Sequence, residues 1–245
     1  MSRAFEVTRD VDLPAAPDDV WTAITAAPAA WQFPTGAEIP AGAEPPEGAP
    51  ITTWDPPHRL VIRIESPDGT FNALDYAIEA RAGGTAHLRY VHSGILADGW
   101  EDQYDAIGGH TDFYLHTLGQ YLEHFNGRPV TYVGQSSSGI EGPESAGTPD
   151  AMDTLRAALG AGGAGVGDTV SASLGEAGTL DGVIDYATPE FLGVRTSEGL
   201  YRFFGRNHYG GVVGMSAHLF VDGVDAAERE AALKAWLDGL YAAVR

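Results

Sequence analysis

No cysteine occurs among the 245 residues of this chain. Disulfides, thiolate nucleophiles and cysteine-bound zinc or iron–sulfur centres are therefore excluded. Positive charge is scarce: 14 Lys and Arg stand against 34 Asp and Glu, a formal net charge of -20. Such a field repels nucleic-acid phosphates and anionic membrane surfaces, and no local run of Lys or Arg offsets it. Long apolar runs are missing too. Nowhere do about eighteen apolar residues follow one another, so no membrane insertion is expected. The first ten residues mix charges of both signs and lack the apolar core of a signal peptide, which makes the cytoplasm the expected location. What is present is apolar material, 44% of residues, enough for one large domain or two modest ones.

The hydrophobic period changes along the chain in an informative order. Phe5, Val7, Val11 and Leu13 alternate with Glu6, Thr8, Asp10 and Asp12, with Arg9 on the apolar phase, which predicts a half-buried first strand. Pro17, Asp18 and Asp19 then open a short helix with Val20 and Ile24 on one face, ended by Pro28. After a Gly/Pro-rich loop at 36–50, three alternating runs centre on Leu60-Ile62-Ile64, Leu74-Tyr76-Ile78 and Leu88-Tyr90-His92. Ser66-Pro67-Asp68-Gly69 and Ala82-Gly83-Gly84 supply the turns of an antiparallel meander. The period then lengthens: Trp100, Tyr104, Ile107, Thr111, Tyr114, Leu118, Leu122 and Phe125 predict a helix of about 27 residues and about 40 Å. Asp98 is its candidate N-cap and Asn126-Gly127 its stop. Gly108-Gly109 inside it costs about 1 kcal/mol per glycine and calls for a reason.

The polar stretch Gln135–Pro149 reads as a linker, because similar phrases return beyond it. Trp54-x-x-Pro57-x-x-Leu60-Val61-Ile62-Arg63 is echoed, 132 positions on, by Tyr186-x-x-Pro189-x-x-Leu192-Gly193-Val194-Arg195. Pro17-Asp18 and Pro149-Asp150 share that offset, and Ala86-His87-Leu88 returns as Ala217-His218-Leu219. These matches in near register predict a duplication, with domains at 1–128 and 129–245.

Two phrases carry a family resemblance: Val11-Asp12-Leu13-Pro14-Ala15-Ala16-Pro17-Asp18-Asp19-Val20-Trp21 and Gly109-His110-Thr111-Asp112-Phe113-Tyr114-Leu115-His116-Thr117-Leu118. Together with the order strand, short helix, meander, long helix, they resemble the SRPBCC (START-like) helix-grip superfamily. The branch they are most similar to is that of the activator of heat-shock-protein ATPase. His110 stands where that branch commonly has Trp. The resemblance implies an α+β fold, a curved antiparallel sheet around a long C-terminal helix, as one full copy and a shorter second copy. It also implies a cavity between sheet and helix, and leaves open lipid or polyketide-like ligands, a chaperone ATPase as partner, or cyclase-type catalysis.

Strand and helix periods then give the cavity wall: Leu74, Tyr76, Leu88, Tyr90 and His92 from the sheet, Ile107, His110 and Tyr114 from the helix. An apolar lining with a few polar tips suits a small hydrophobic or aromatic ligand. The plainer alternative makes these tyrosines and histidines satisfied core residues, the cavity being filled. His92 or His110 could act as acid or base, but no nucleophile–base–orienter triplet accompanies them. His110 and His116 are six apart, on different helix faces, and no ligand spacing indicates a metal; no cofactor is expected. Gly160–Gly165 lacks a phosphate-loop ending and reads as a connector. Arg202, Arg206 and His208 are placed on one strand face, pairing with acids at the contact between copies or holding an acidic ligand.

Overall fold

The computed structural model describes residues 3–96 and 100–242. The chain divides into two compact units: residues 1–31 with 35–127, and residues 32–34 with 128–245. Asp98 lies outside the described residues, as do the side chains of Trp100 and Tyr104.

In the first unit, β1 (Arg3–Leu13) leads to α1 (Pro17–Thr25), which begins on its proline and carries Asp18 and Asp19 in its first turn. Val20, Trp21 and Ile24 of α1 are buried. After the loop come β2 (Ile51–Asp55), β3 (Arg59–Glu65), β4 (Phe71–Arg81), β5 (Thr85–Leu96) and α2 (Trp100–His124). The sheet is antiparallel in the order β1-β5-β4-β3-β2, so the first strand closes onto the last. Arg9, Tyr90, Tyr76 and Leu60 stand opposite one another across four strands, as do Val11, Leu88 and Ile78, and Val7, His92 and Leu74. The other face carries Asp10, Asp12, His87, Arg59 and Asp75 in ion pairs, with Asp10, Asp12 and Arg59 exposed and His87 and Asp75 half-buried. Period-two alternation thus separates an apolar from a charged face, as in a sheet half-covered by a helix.

The second unit has the same connectivity. Its elements are β6 (Thr131–Val133), β7 (Ile140–Glu141), α3 (Ala151–Ala158), β8 (Thr169–Ser173), β9 (Thr179–Ala187), β10 (Phe191–Arg195), β11 (Gly199–Gly205), β12 (Val213–Leu219) and α4 (Ala226–Ala242). Again the first strand pairs the last, in the order β6-β12-β11-β10-β9-β8, with β7 also on β12. Its closing helix is shorter, 17 residues against 25, but its sheet is wider, seven strands against five. The widening is hard to read in sequence because β8 is built on small residues, Val170 and Ala172 among Thr169, Ser171 and Ser173.

Three sequence expectations are corrected. Residues 135–149 are not a linker: they lie within the second unit, where β7 pairs β12 at Met215↔Ile140. Arg206 and His208 leave the strand for a 3-10 turn at Arg206–Tyr209, because Gly205 ends β11. Arg202 pairs not with an acid at a contact between copies but with Asp185 on β9 of its own unit, 2.8 Å away. The glycines after α3 form a turn in which Gly160 has φ +68° and Ala161 N–H bonds back to the Arg156 carbonyl, a helix-ending arrangement. Among the described residues no helix is long and apolar enough to cross a membrane.

Candidate functional site

The inner face of the first unit's sheet grades from closed to open. Leu13, Leu88 and Ile78 are buried at one end. Tyr76 and Tyr90 come next, 3% and 8% exposed. Phe5, Leu74 and His92 are half-buried, and Asn72 and Ile64 are exposed at the far end. Helix α2 repeats this gradient on the stripe expected to face the sheet. Leu122 and Leu118, and Phe125 just past the helix end, are buried, whereas Tyr114, His110 and Ile107 are half-buried. The two elements run in matching directions, since Gly119 lies nearest Leu13 and Gly108 nearest Arg9. Apart from Val7, which is 3% exposed, burial therefore falls along both elements toward the same end, that of Phe5 and His92.

One clamp ties the walls together. Arg9, on the apolar phase of β1, grips Asp112 of α2 with Nε and with Nη2, the latter at 2.9 Å from Oδ2. A Cβ at Gly108 would meet Arg9 Nη2 at 3.7 Å, ordinary contact, so the glycine is not sterically required there. Beside the clamp a cavity of about 320 Å³ lies between the end of β1 and α2, lined by Leu13, Leu115, Gly119 and the acids Asp12 and Glu123.

The five sheet residues expected at the site stand together. The Tyr76 and Tyr90 rings are 5.0 Å apart, and Tyr90 and His92 are 6.4 Å apart edge to face. Leu74 is cross-strand from His92, and Leu88 sits one inward position deeper than Tyr90. Of the helix residues, His110 and Tyr114 lie 6.2 Å apart, and His110 Nδ1 bonds to the carbonyl of Ala106 in its own helix at 2.7 Å. Ile107 is half-buried one turn before them on that face.

Electrostatics distinguish the polar tips. Burial raises both phenols well above their ordinary range, so they remain O–H groups at neutral pH. Among the described residues neither hydroxyl has a hydrogen-bonding partner. Burial pulls His92 down to about 4, leaving it neutral, with Nε2 donating to Asn72 Oδ1 at 2.6 Å. Trp54, opposite Leu60 on the rung of Tyr76 and Tyr90, has a buried indole Nε1 with no partner among the described residues. Sequence reasoning missed Arg9, Asp112, Asn72 and Trp54. The signal was there for two of them: Arg9 and Asn72 are polar residues on the apolar phase of their strands.

A curved sheet whose first strand closes on its last, with a short helix after the first strand and a long one after the last, is a defined architecture. The fold is a helix-grip. No protein-family model matches the chain, and no curated protein matches it. Some solved structures are similar to it. DynU16, from the dynemicin biosynthetic locus, is 17% identical over 96% of this chain and 95% of its own, with a TM-score of 0.39. Mll3558 from Rhizobium loti is 17% identical over 50% of this chain and 99% of its own, at 0.38. The Aha1 dimer from Colwellia psychrerythraea is 15% identical over 49% and 96%, at 0.37.

Proposed function

We propose that the first helix-grip unit binds one small, mainly apolar or aromatic molecule bearing a hydrogen-bonding oxygen, in the groove between its sheet and α2. The observation that carries this reading is the rung of Tyr90, Tyr76 and Trp54, where the Trp54 indole N–H is buried without a partner among the described residues and two unbonded phenols stand beside it. An unmet buried donor costs about 1–3 kcal/mol, so such a rung is favoured where a guest or water supplies the acceptor. The apolar stretch from Leu88 to Leu74 supplies the rest of the contact. His92 then orients Asn72 at the mouth. With a pKa near 4 it is a weak base at neutral pH, so the site reads as a receptor rather than an acid–base catalyst.

The test is a thermal-shift and fluorescence-titration panel of fatty acids, flavonoids and polyketide-like aromatics. At least one aromatic member is expected to raise the melting temperature saturably. Replacing both phenols, Tyr76→Phe with Tyr90→Phe, keeps the rings and removes only the hydroxyls. It should weaken that ligand by about tenfold or more, two hydrogen bonds' worth. A panel with no saturable member, or a double variant that binds as well as the native chain, would sink the reading.

A further inference from the structure

The second unit carries a groove of different chemistry. Two cavities of about 600 and 400 Å³ share Glu198, Val221, Val224 and Arg229 in their linings. The walls are turn tips. Glu176 sits between β8 and β9, Asp181 on β9, Glu198 between β10 and β11, and Asp222 between β12 and α4. The tips are tied in place: Arg229 Nη1 donates to the Ala177 carbonyl at 2.6 Å, and the Phe220 N–H to the Glu198 carbonyl at 2.8 Å.

Charge in the groove is one-sided. Arg229 is the single basic side chain of either lining and already holds Ala177. The amino end of α4 adds positive partial charge, but Asp225 answers it, its Oδ1 accepting from the N–H groups of Ala227 and Glu228 at 2.9 and 3.1 Å. Glu176, Asp181, Glu198 and Asp222 are exposed, and among the described residues none of the four has an ion-pair partner.

Exposed acids alone are a solvated surface. Tyr201 adds an independent indication. It lies on β11 with only 8% of its surface exposed, it lines the smaller cavity, and its hydroxyl meets no hydrogen-bonding group among the described residues. Burial raises its pKa, with Arg229 opposing and Glu198 reinforcing, so the floor of the groove holds a neutral phenol. The carboxylates are distributed over several turns and do not converge. Among the described residues no three His, Asp or Glu side chains are placed to hold a metal ion. A point cation is poorly matched by that spread; an extended organic cation is well matched.

We propose that this groove binds a small aliphatic cation with two or more ammonium groups, one donating to Tyr201 Oη and the others to Asp181, Glu198 and their neighbours. Spermidine, titrated calorimetrically into the full chain in about 150 mM NaCl to screen diffuse attraction, is the probe. One saturable site is expected. Asp181→Asn with Glu198→Gln should weaken it by about tenfold or more, as loss of two charge-assisted hydrogen bonds does. Tyr201→Phe should weaken it by roughly tenfold, the loss of one hydrogen bond from a charged donor. The control Glu44→Gln with Glu47→Gln, in an exposed loop of the first unit, removes the same charge and should leave affinity within about twofold. Absence of saturable heat, equal weakening by the two double variants, or unchanged affinity in Tyr201→Phe would each overturn the proposal.

Discussion

The densest piece of chemistry at the residue scale is the ion pair beneath Gly193. Arg202 is 1% and Asp185 7% exposed, and the guanidinium reaches both carboxylate oxygens at 2.8 to 3.1 Å. A Cβ at Gly193 would overlap Asp185 Oδ1 and come within 2.5 Å of Arg202 Nη1. The strand between the two charges must therefore carry no side chain at that point. Gly193→Ala should cost about 3–5 kcal/mol in urea denaturation, the usual loss when a buried pair is broken. Asp185→Asn should fall in the same range, leaving a buried cation unpaired. Asp185→Leu with Arg202→Met should recover most of the loss, because an apolar pair of similar volume is often neutral. A Gly193→Ala chain within about 0.5 kcal/mol of the native would refute this account, that being the scale of unremarkable substitutions. The sequence grouped Arg202 with Arg206 and His208 and hid its partner. Gly193 stands opposite Tyr186 but Val194 opposite Ile184, so Asp185 is the extra residue of a bulge. A bulge resets the phase of period two, and alternation alone cannot assign the face of a residue beyond it.

Among elements, β5 shows most clearly what alternation can and cannot tell. Its pattern correctly separates His87 on the charged face from His92 on the apolar one. It does not say what each ring meets. His87 sits between Asp12 and Asp10 at 2.9 and 3.2 Å, and the bond to Asp12 does most to raise its pKa above 6.5. His92, desolvated, is lowered to about 4. The two therefore impose opposite pH dependences on stability. Below pH 6.5 the unfolded chain protonates His92 while the folded chain refuses the proton until about 4, so stability falls as pH drops through that window. His87 stabilises the folded chain below pH 6.5, and that contribution is lost as pH rises through its raised value. Urea midpoints measured across this range should lose part of their acid limb in His92→Gln and part of their alkaline limb in His87→Gln. Identical profiles for the two variants would contradict these assignments. The same limit of alternation applies to α2. Its apolar stripe was legible, but the gradient from buried Leu118 to half-buried Ile107 depends on tertiary packing, and no local pattern encodes that.

Across the whole molecule, the repeated phrases fall on equivalent elements. Trp54 and Tyr186 lie near the ends of β2 and β9, and Leu60 and Leu192 near the starts of β3 and β10. Ala86-His87-Leu88 pairs with the last three residues of β1, and Ala217-His218-Leu219 with those of β6, in the same register. We read this as duplication with an insertion after the first strand of the second copy. The insertion passed for a linker because inserted loops and linkers share a composition; the pairing of β7 with β12 is non-local. Charge is the other whole-molecule property, and two effects of salt compete in it. The exposed pairs Arg59–Asp75, Arg63–Glu65, Arg81–Glu79 and Lys234–Asp238 weaken with salt, but each is worth only about 0–1 kcal/mol. Against them stands the self-repulsion of a net charge of -20, which compaction concentrates and salt relieves over a Debye length of about 10 Å at 0.1 M. With 34 acids for 14 bases, most carboxylates can have no basic partner, so relief of repulsion should outweigh loss of pairs. The melting temperature by calorimetry should therefore rise between about 10 and 300 mM NaCl, most steeply at the low end where the Debye length shrinks fastest. A melting temperature that falls over this range would mean that the few ion pairs, the Arg9–Asp112 clamp among them, contribute more than the net charge costs.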